Sequence, residues 1–192
     1  MARPRKFDEA EVLRAAREQF WTGGYEATSL DDLTAATGLG RGSLYGAFGD
    51  KHSLFLRAFD GYCTDAVAGV EADLTGPGRA YDRLVAHLRT AAASSDGGRG
   101  CLLAKSTAEL AGDDPAVAER ARATFLRLHE LLTDTVTAAQ REGDLDPAAD
   151  PAKLAAVVLA ALRGMESVGK AGVGPDLLRA IADQTIALLP RP

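Results

Sequence analysis

Residues 28–50 read TSLDDLTAATGLGRGSLYGAFGD, and this stretch decides the fold. Ser29 has the chemistry of an N-cap, and Asp32, three residues on, supplies a carboxylate suited to the positive end of a helix. Leu30, Leu33 and Ala36 give that helix one apolar edge. Gly38 is the residue able to take a left-handed conformation after the last turn, and Leu39 re-enters the core beneath it. A second short helix follows over Arg41–Phe48. Its apolar members Leu44 and Phe48 lie four apart and face inward, which leaves Arg41, Gly42, Ser43 and Tyr45 projecting near its N-terminal end. Two short helices joined by such a turn form a helix-turn-helix pattern, in which that end enters the major groove.

The flanking residues extend the pattern. Asp8 and Glu11 form a variant capping box ahead of an apolar stripe of Val12, Leu13, Ala16, Phe20 and Trp21, which predicts a first helix ending at Gly23-Gly24. Asp50 is placed to cap a fourth helix carrying Leu54, Phe55, Ala58, Phe59 and Tyr62. That helix leads away from the reader toward a break at Gly76-Pro77-Gly78. Polar breaks then separate helices expected at 79–93, 99–111, 115–142, 151–168 and 175–189, nine in all.

The run from Phe7 to Phe59 resembles the N-terminal domain of the TetR family of bacterial transcriptional repressors. The matching pieces are Ala15-Ala16 through Phe20, Gly23-Gly24-Tyr25, Thr28-Ser29, Asp32-Leu33, Ala36, Gly38-Leu39, Gly42-Ser43-Leu44-Tyr45, Phe48, Lys51 and Leu54-Phe55. Gly46-Ala47 depart from the family, which often has a large polar residue after the tyrosine. The resemblance implies an all-α protein with three helices for DNA binding and six for ligand binding and dimerisation. It places a DNA-binding domain at 1–50 and a ligand-binding and dimerisation domain at 51–192. It further implies a homodimer on a palindromic double-stranded operator, most often a repressor released by a small-molecule inducer. Thr28, Arg41, Gly42, Ser43, Tyr45, Lys51 and His52 are the DNA-facing positions so implied.

Composition sets the outer bounds. The 192 residues are 46% hydrophobic and 26% charged, which is globular usage. No apolar run spans a bilayer, no signal peptide opens the chain, and a cytoplasmic protein is expected. The net charge of −5 argues against a non-specific nucleic-acid coat. Any positive field toward DNA must therefore be local. Arg3, Arg5 and Lys6 form one such patch, read either as a solvated terminus or as an arm reaching the minor groove.

Beyond the reader, Leu84, Leu88, Leu102, Phe125 and Leu128 offer apolar lining for a ligand cavity. Cys101, Lys105, Glu109 and His129 are its few polar groups, so the expected inducer is small and mainly hydrophobic. Cys101 opens a helix in a Gly-Cys-Leu segment that resembles a subgroup of the family, and it is either a buried small residue or a thiol sensitive to electrophiles. Leu154, Val158, Ala161 and Leu162, with Leu178 and Ile181, form wide apolar faces on the last two helices. These cover either the chain's own core or a two-fold mate, and the second use is the expectation. No Ser-His-Asp order, phosphate loop, dinucleotide fingerprint or metal-ligand spacing occurs, so neither an enzyme nor a cofactor is expected.

Overall fold

A computed structural model describes residues 7–95 and 99–192. Arg3, Arg5 and Lys6 lie outside the described residues. Among those described, the secondary structure is nine α-helices in the order α1 (Glu9–Gly23), α2 (Leu30–Thr37), α3 (Arg41–Phe48), α4 (Lys51–Thr75), α5 (Ala80–Ser95), α6 (Leu102–Leu110), α7 (Pro115–Arg141), α8 (Pro151–Lys170) and α9 (Pro175–Ala187). The expected all-α class holds. None of these helices is long and apolar enough to cross a membrane.

The helices begin where side chains can satisfy free amides. Asp8 Oδ1 accepts from the amides of Ala10 and Glu11 at 2.9 and 3.4 Å and so starts α1. Asp50 Oδ1 accepts from Ser53 N at 2.6 Å at the head of α4, and Asp150 caps α8 in the same manner. At the end of α2, Gly38 adopts φ 68°, ψ 8°, a left-handed conformation that lets the chain reverse into α3.

The residues group into two compact units that interleave along the chain. One comprises the described residues up to Thr64 together with Leu102–Ala121, so it takes in α1–α3, the first half of α4, α6 and the first turns of α7. Its centre is aromatic. Phe55 meets Phe20 edge-on at 5.1 Å and stacks on Phe59 at 5.6 Å, and Tyr25 closes the cluster 4.9 Å from Phe55. Val12, Ala16, Leu33, Leu44, Phe48, Leu103 and Val117 are buried within the same unit. Burial of each large side chain contributes roughly 1.5–3 kcal/mol.

The second unit comprises Asp65–Cys101 and Arg122–Pro192. In it α5, α8 and α9 pack on one another around Leu84, Leu88, Val158, Leu162, Met165, Leu178 and Ala182. The tightest approach is at Gly169 of α8. A side chain there would collide with the carbonyl oxygen of Ser95, at the end of α5, and its Cβ would stand 2.8 Å from the Ser95 carbonyl carbon.

Candidate nucleic-acid interface

The helix-turn-helix is built from local bonds. Ser29 Oγ accepts from Asp32 N at 3.1 Å while Asp32 Oδ2 accepts from Ser29 N at 2.8 Å, a reciprocal capping box that fixes the start of α2. Hydrogen bonds from the Ser29 hydroxyl and amide hold the Asp32 carboxyl below the usual carboxylate range. Leu33, Leu44 and Phe48 anchor α2 and α3 in the core.

The other face of α3 is open. Arg41, Gly42, Ser43, Tyr45 and Gly46 are all exposed, and Tyr45 keeps 49% of its surface. The N-cap of α3 is Gly40, which brings no side-chain hydrogen bond, so the positive end of this helix dipole stays uncovered. Nothing lies within 4 Å of the place a Cβ would occupy on Gly42 or Gly46. The surface can therefore approach a phosphate backbone or a base edge closely. Arg41 is oriented by Asp31 of α2, with Nη2 and Nε at 2.6 and 3.2 Å from Asp31 Oδ1. That hydrogen bond, together with the Asp31 charge, raises the guanidinium pKa above its ordinary value. Asp31 was not singled out by sequence; its signal is a carboxylate ten residues ahead of the arginine across one turn.

The remaining expected DNA-facing residues are placed differently from one another. Lys51 Nζ stands 4.4 Å over the Tyr25 ring and 3.4 Å from Glu26 O. Thr28 is buried, donating from Oγ1 to Gly24 O at 2.6 Å, so it belongs to the α1–α2 turn and not to the exposed face. His52 Nε2 lies 2.6 Å from Asp114 Oδ2. Burial pushes the Asp114 carboxyl up, but the His52 contact and the amides of Val117 and Ala116 outweigh it and hold the group below its usual range. Tyr25, by contrast, has its hydroxyl pushed up by burial and then by Glu26, Asp50 and Asp114.

The residues expected to bind a ligand are divided between the units. Leu102, Lys105 and Glu109 belong to the first, whereas Leu84, Leu88, Cys101, Phe125, Leu128 and His129 belong to the second. Leu84, Leu88, Leu102 and Leu128 are buried, and His129 Nε2 donates to Ala152 O at 2.8 Å. None of them lines the groove of about 490 Å³ formed in the second unit by Arg89, Ala92, Ala93, Pro175, Arg179, Ala182 and Asp183. Lys105 and Glu109 are bonded to the backbone of residues 21–26. Cys101 is buried with Arg163 Nη1 3.3 Å from its Sγ, and Arg163 in turn lies 2.9 Å from Glu166 Oε2. Burial raises the Glu166 carboxyl, opposed by Arg163 and by a hydrogen bond with Cys101. Beside the Gly-Cys-Leu segment, the sequence sign of this cluster is an arginine and a glutamate three apart on an apolar helix.

Of the six residues expected between two copies, Val158, Leu162 and Leu178 are fully used inside the chain's own core. The stripe of α8 at 155, 158, 162 and 165 faces inward, so a partner would meet the adjacent stripe. That stripe presents Val157, 54% exposed, beside Ala156, Ala160, Ala161 and the open Gly164. On α9 and at its C-cap the corresponding exposed residues are Leu177 and Leu188, flanking the half-buried Ile181.

Residues 12–58 match the model for bacterial regulatory proteins of the tetR family, and residues 80–183 match the tetracyclin repressor-like C-terminal domain. The HTH-type transcriptional repressor ComR of Escherichia coli K12 is 30% identical over 98% of this chain and 91% of its own. YezE, an uncharacterised HTH-type transcriptional regulator of Bacillus subtilis 168, is 31% identical over 76% of this chain and 77% of its own. A cysteine-substituted form of the TetR family regulator CifR, solved with 26-bp operator DNA, superposes with a TM-score of 0.87 at 28% identity, over 98% of this chain and 100% of that one. The chain is a helix-turn-helix transcriptional regulator and belongs to the TetR family of bacterial regulatory proteins.

Proposed function

We propose that the protein is a homodimeric repressor that reads a palindromic double-stranded operator through α3 and is released from it by a small, mainly hydrophobic inducer. Residues 1–50 carry the reader and residues 51–192 the ligand-binding and dimerisation functions. The observation that carries this reading is the exposed, uncapped head of α3, with Arg41 pre-oriented by Asp31 and two glycines leaving the approach open. Arg41 is assigned to a base edge, since a guanidinium can bond guanine in two places, with Ser43 beside it, and Tyr45 and Lys51 to phosphates. Two copies must present their recognition helices about 34–36 Å apart to enter successive major grooves. The apolar stripe of Val157, Ala161, Leu177 and Leu188 supports a dimer through α8 and α9. Selecting duplexes from a random-sequence library with the purified chain, then titrating candidate inducers into gel shifts, tests the proposal. A chain that enriches no sequence refutes it.

A second reading, favoured by Arg163 beside the Cys101 sulfur, makes that residue a thiol sensor of electrophiles. A guanidinium at that distance favours a thiolate, while the Glu166 carboxylate that accepts from the same thiol opposes it. In that case Cys101 is alkylated faster than Cys63, which is equally buried, and Cys101→Ser abolishes release by a quinone while sparing release by a reversible ligand. Equal, slow labelling of both cysteines leaves Cys101 as core packing.

A further inference from the structure

The last turn of α1 ends in an unusual way. Continuing the helix by two residues would take two bonds, from Tyr25 N to Trp21 O and from Glu26 N to Thr22 O. All four of these backbone groups are instead bonded to α6. Lys105 Nζ donates to Trp21 O at 3.1 Å and to Thr22 O at 3.0 Å. Glu109 Oε2 accepts from Tyr25 N at 3.1 Å, and its Oε1 from Glu26 N at 2.8 Å. One cation and one anion, four apart on α6, have replaced both halves of two ladder bonds. The charges have the favourable sense, because helix-end carbonyls attract a cation and paired amides an anion.

The neighbourhood is shaped for this insertion. Gly24 takes φ 91°, and a Cβ on it would stand 3.0 and 3.2 Å from the two Glu109 oxygens, so the carboxylate fills the space where a side chain would project. The Gly24 carbonyl, left over, accepts from the buried Thr28 hydroxyl. Glu26 O receives Lys51. The turn that carries the chain from α1 into the helix-turn-helix is thus held by side chains.

We propose that Lys105 and Glu109 are positioning residues for DNA reading: by holding the backbone groups left open where α1 stops at Gly24, they fix the turn that follows and, with it, where α2 and α3 are held against α1. The inference rests on the DNA-reading function proposed above and adds to it a control point on α6. Loss of either charge leaves its two backbone groups to water, and α3 loses its fixed placement.

The test uses the full chain and duplexes that the parent selects from a random library, with a scrambled duplex for comparison. Lys105→Met and Glu109→Ala should each lower the ratio of selected to scrambled affinity about tenfold, as expected for a coupling of ordinary size, with scrambled binding unchanged. Lys105→Arg, which keeps a cationic donor, should restore the ratio. A mere loss of folded protein would instead depress both affinities together. Hydrogen exchange should quicken at Tyr25 and Glu26 in Glu109→Ala. If Glu109→Ala does not fold, Glu109→Gln, which keeps one carbonyl acceptor, is read by the same criteria. Variants whose affinity ratio stays within about twofold of the parent overturn the inference. A parent that selects no duplex refutes the functional reading instead, and unchanged protection of the two amides in the Glu109 variant then removes the clamp independently.

Discussion

Gly169→Ala tests the packing of the second unit at its tightest point. The new methyl would collide with Ser95 O and lie 2.8 Å from the Ser95 carbonyl carbon and 3.0 Å from its Cβ. Ordinary contacts begin near 3.4 Å, and two of these three atoms are backbone, so α5 and α8 must separate by roughly 1 Å at a site where close-packed interiors yield little. Overpacking of this sort costs about 1–3 kcal/mol, and the upper part of that range applies because no flexible side chain can give way. Alanine recovers about 1 kcal/mol over glycine inside a helix. The net loss is about 2 kcal/mol, or a fall in Tm of about 4–8 °C for a chain of this size. Gly69, on α4 with nothing within 4 Å, is the control, and Gly69→Ala should raise Tm by about 2–4 °C. Thermal melts followed by far-UV circular dichroism read both. A Gly169→Ala variant melting at or above the parent, alongside a stabilised Gly69→Ala, would show the α5–α8 approach to be looser than described.

Three further outcomes are expected. Lys51→Ala should weaken binding to every duplex alike and reduce the salt slope by about 1, whereas Arg41→Ala should relax base preference, as competition binding at several salt concentrations will show. Val157→Arg should yield a folded monomer by sedimentation, while Val158→Arg, whose parent residue is buried in the chain's own core, should unfold; a dimeric Val157→Arg moves the interface elsewhere. The capping carboxyls of Asp32, Asp50, Asp114 and Asp150 are all held below their usual range. Their stability contribution is therefore present above the unfolded carboxyl pKa of about 3.9 and is lost as pH falls through the lower folded values, so Tm should drop below about pH 4; the raised Glu166 carboxyl acts with the opposite sign and adds stability as it takes up its proton, so Tm should not fall between neutral pH and about 5. Asp114→Asn should flatten that acid limb, and an unchanged limb refutes the role of this cap.

Much of the reader was legible in the chain because its determinants are local. Ser29 and Asp32 meet within one turn, Gly38 needs only its own backbone freedom, and α3 spans Arg41–Phe48 as its spacing predicts. What the spacing could not tell was which neighbour a residue meets. Thr28 looks like any polar residue before a cap, and only the folded turn shows its hydroxyl buried against Gly24 O. Lys105 and Glu109 bond backbone groups more than eighty positions away, and no periodicity encodes such a pairing. Val158 and Val157 are equally apolar and adjacent, yet the helical rotation between them turns one into the core and the other outward. A wide apolar face in the sequence thus declares that a helix is covered without dividing the area between its own chain and a partner.

The interleaving of the two units limits how this protein can be recombined. The chain leaves the first unit at Thr64 and returns to it from Leu102 to Ala121, bringing Leu103, Val117 and the Asp114 that meets His52. A chimera joined at a single point after α3 or within α4 would inherit a reader stripped of these residues. Its new C-terminal portion would have to supply a matching α6 of its own. Exchange of specificity between regulators built this way is therefore a three-junction problem, with the segment 102–121 travelling with the first 64 residues.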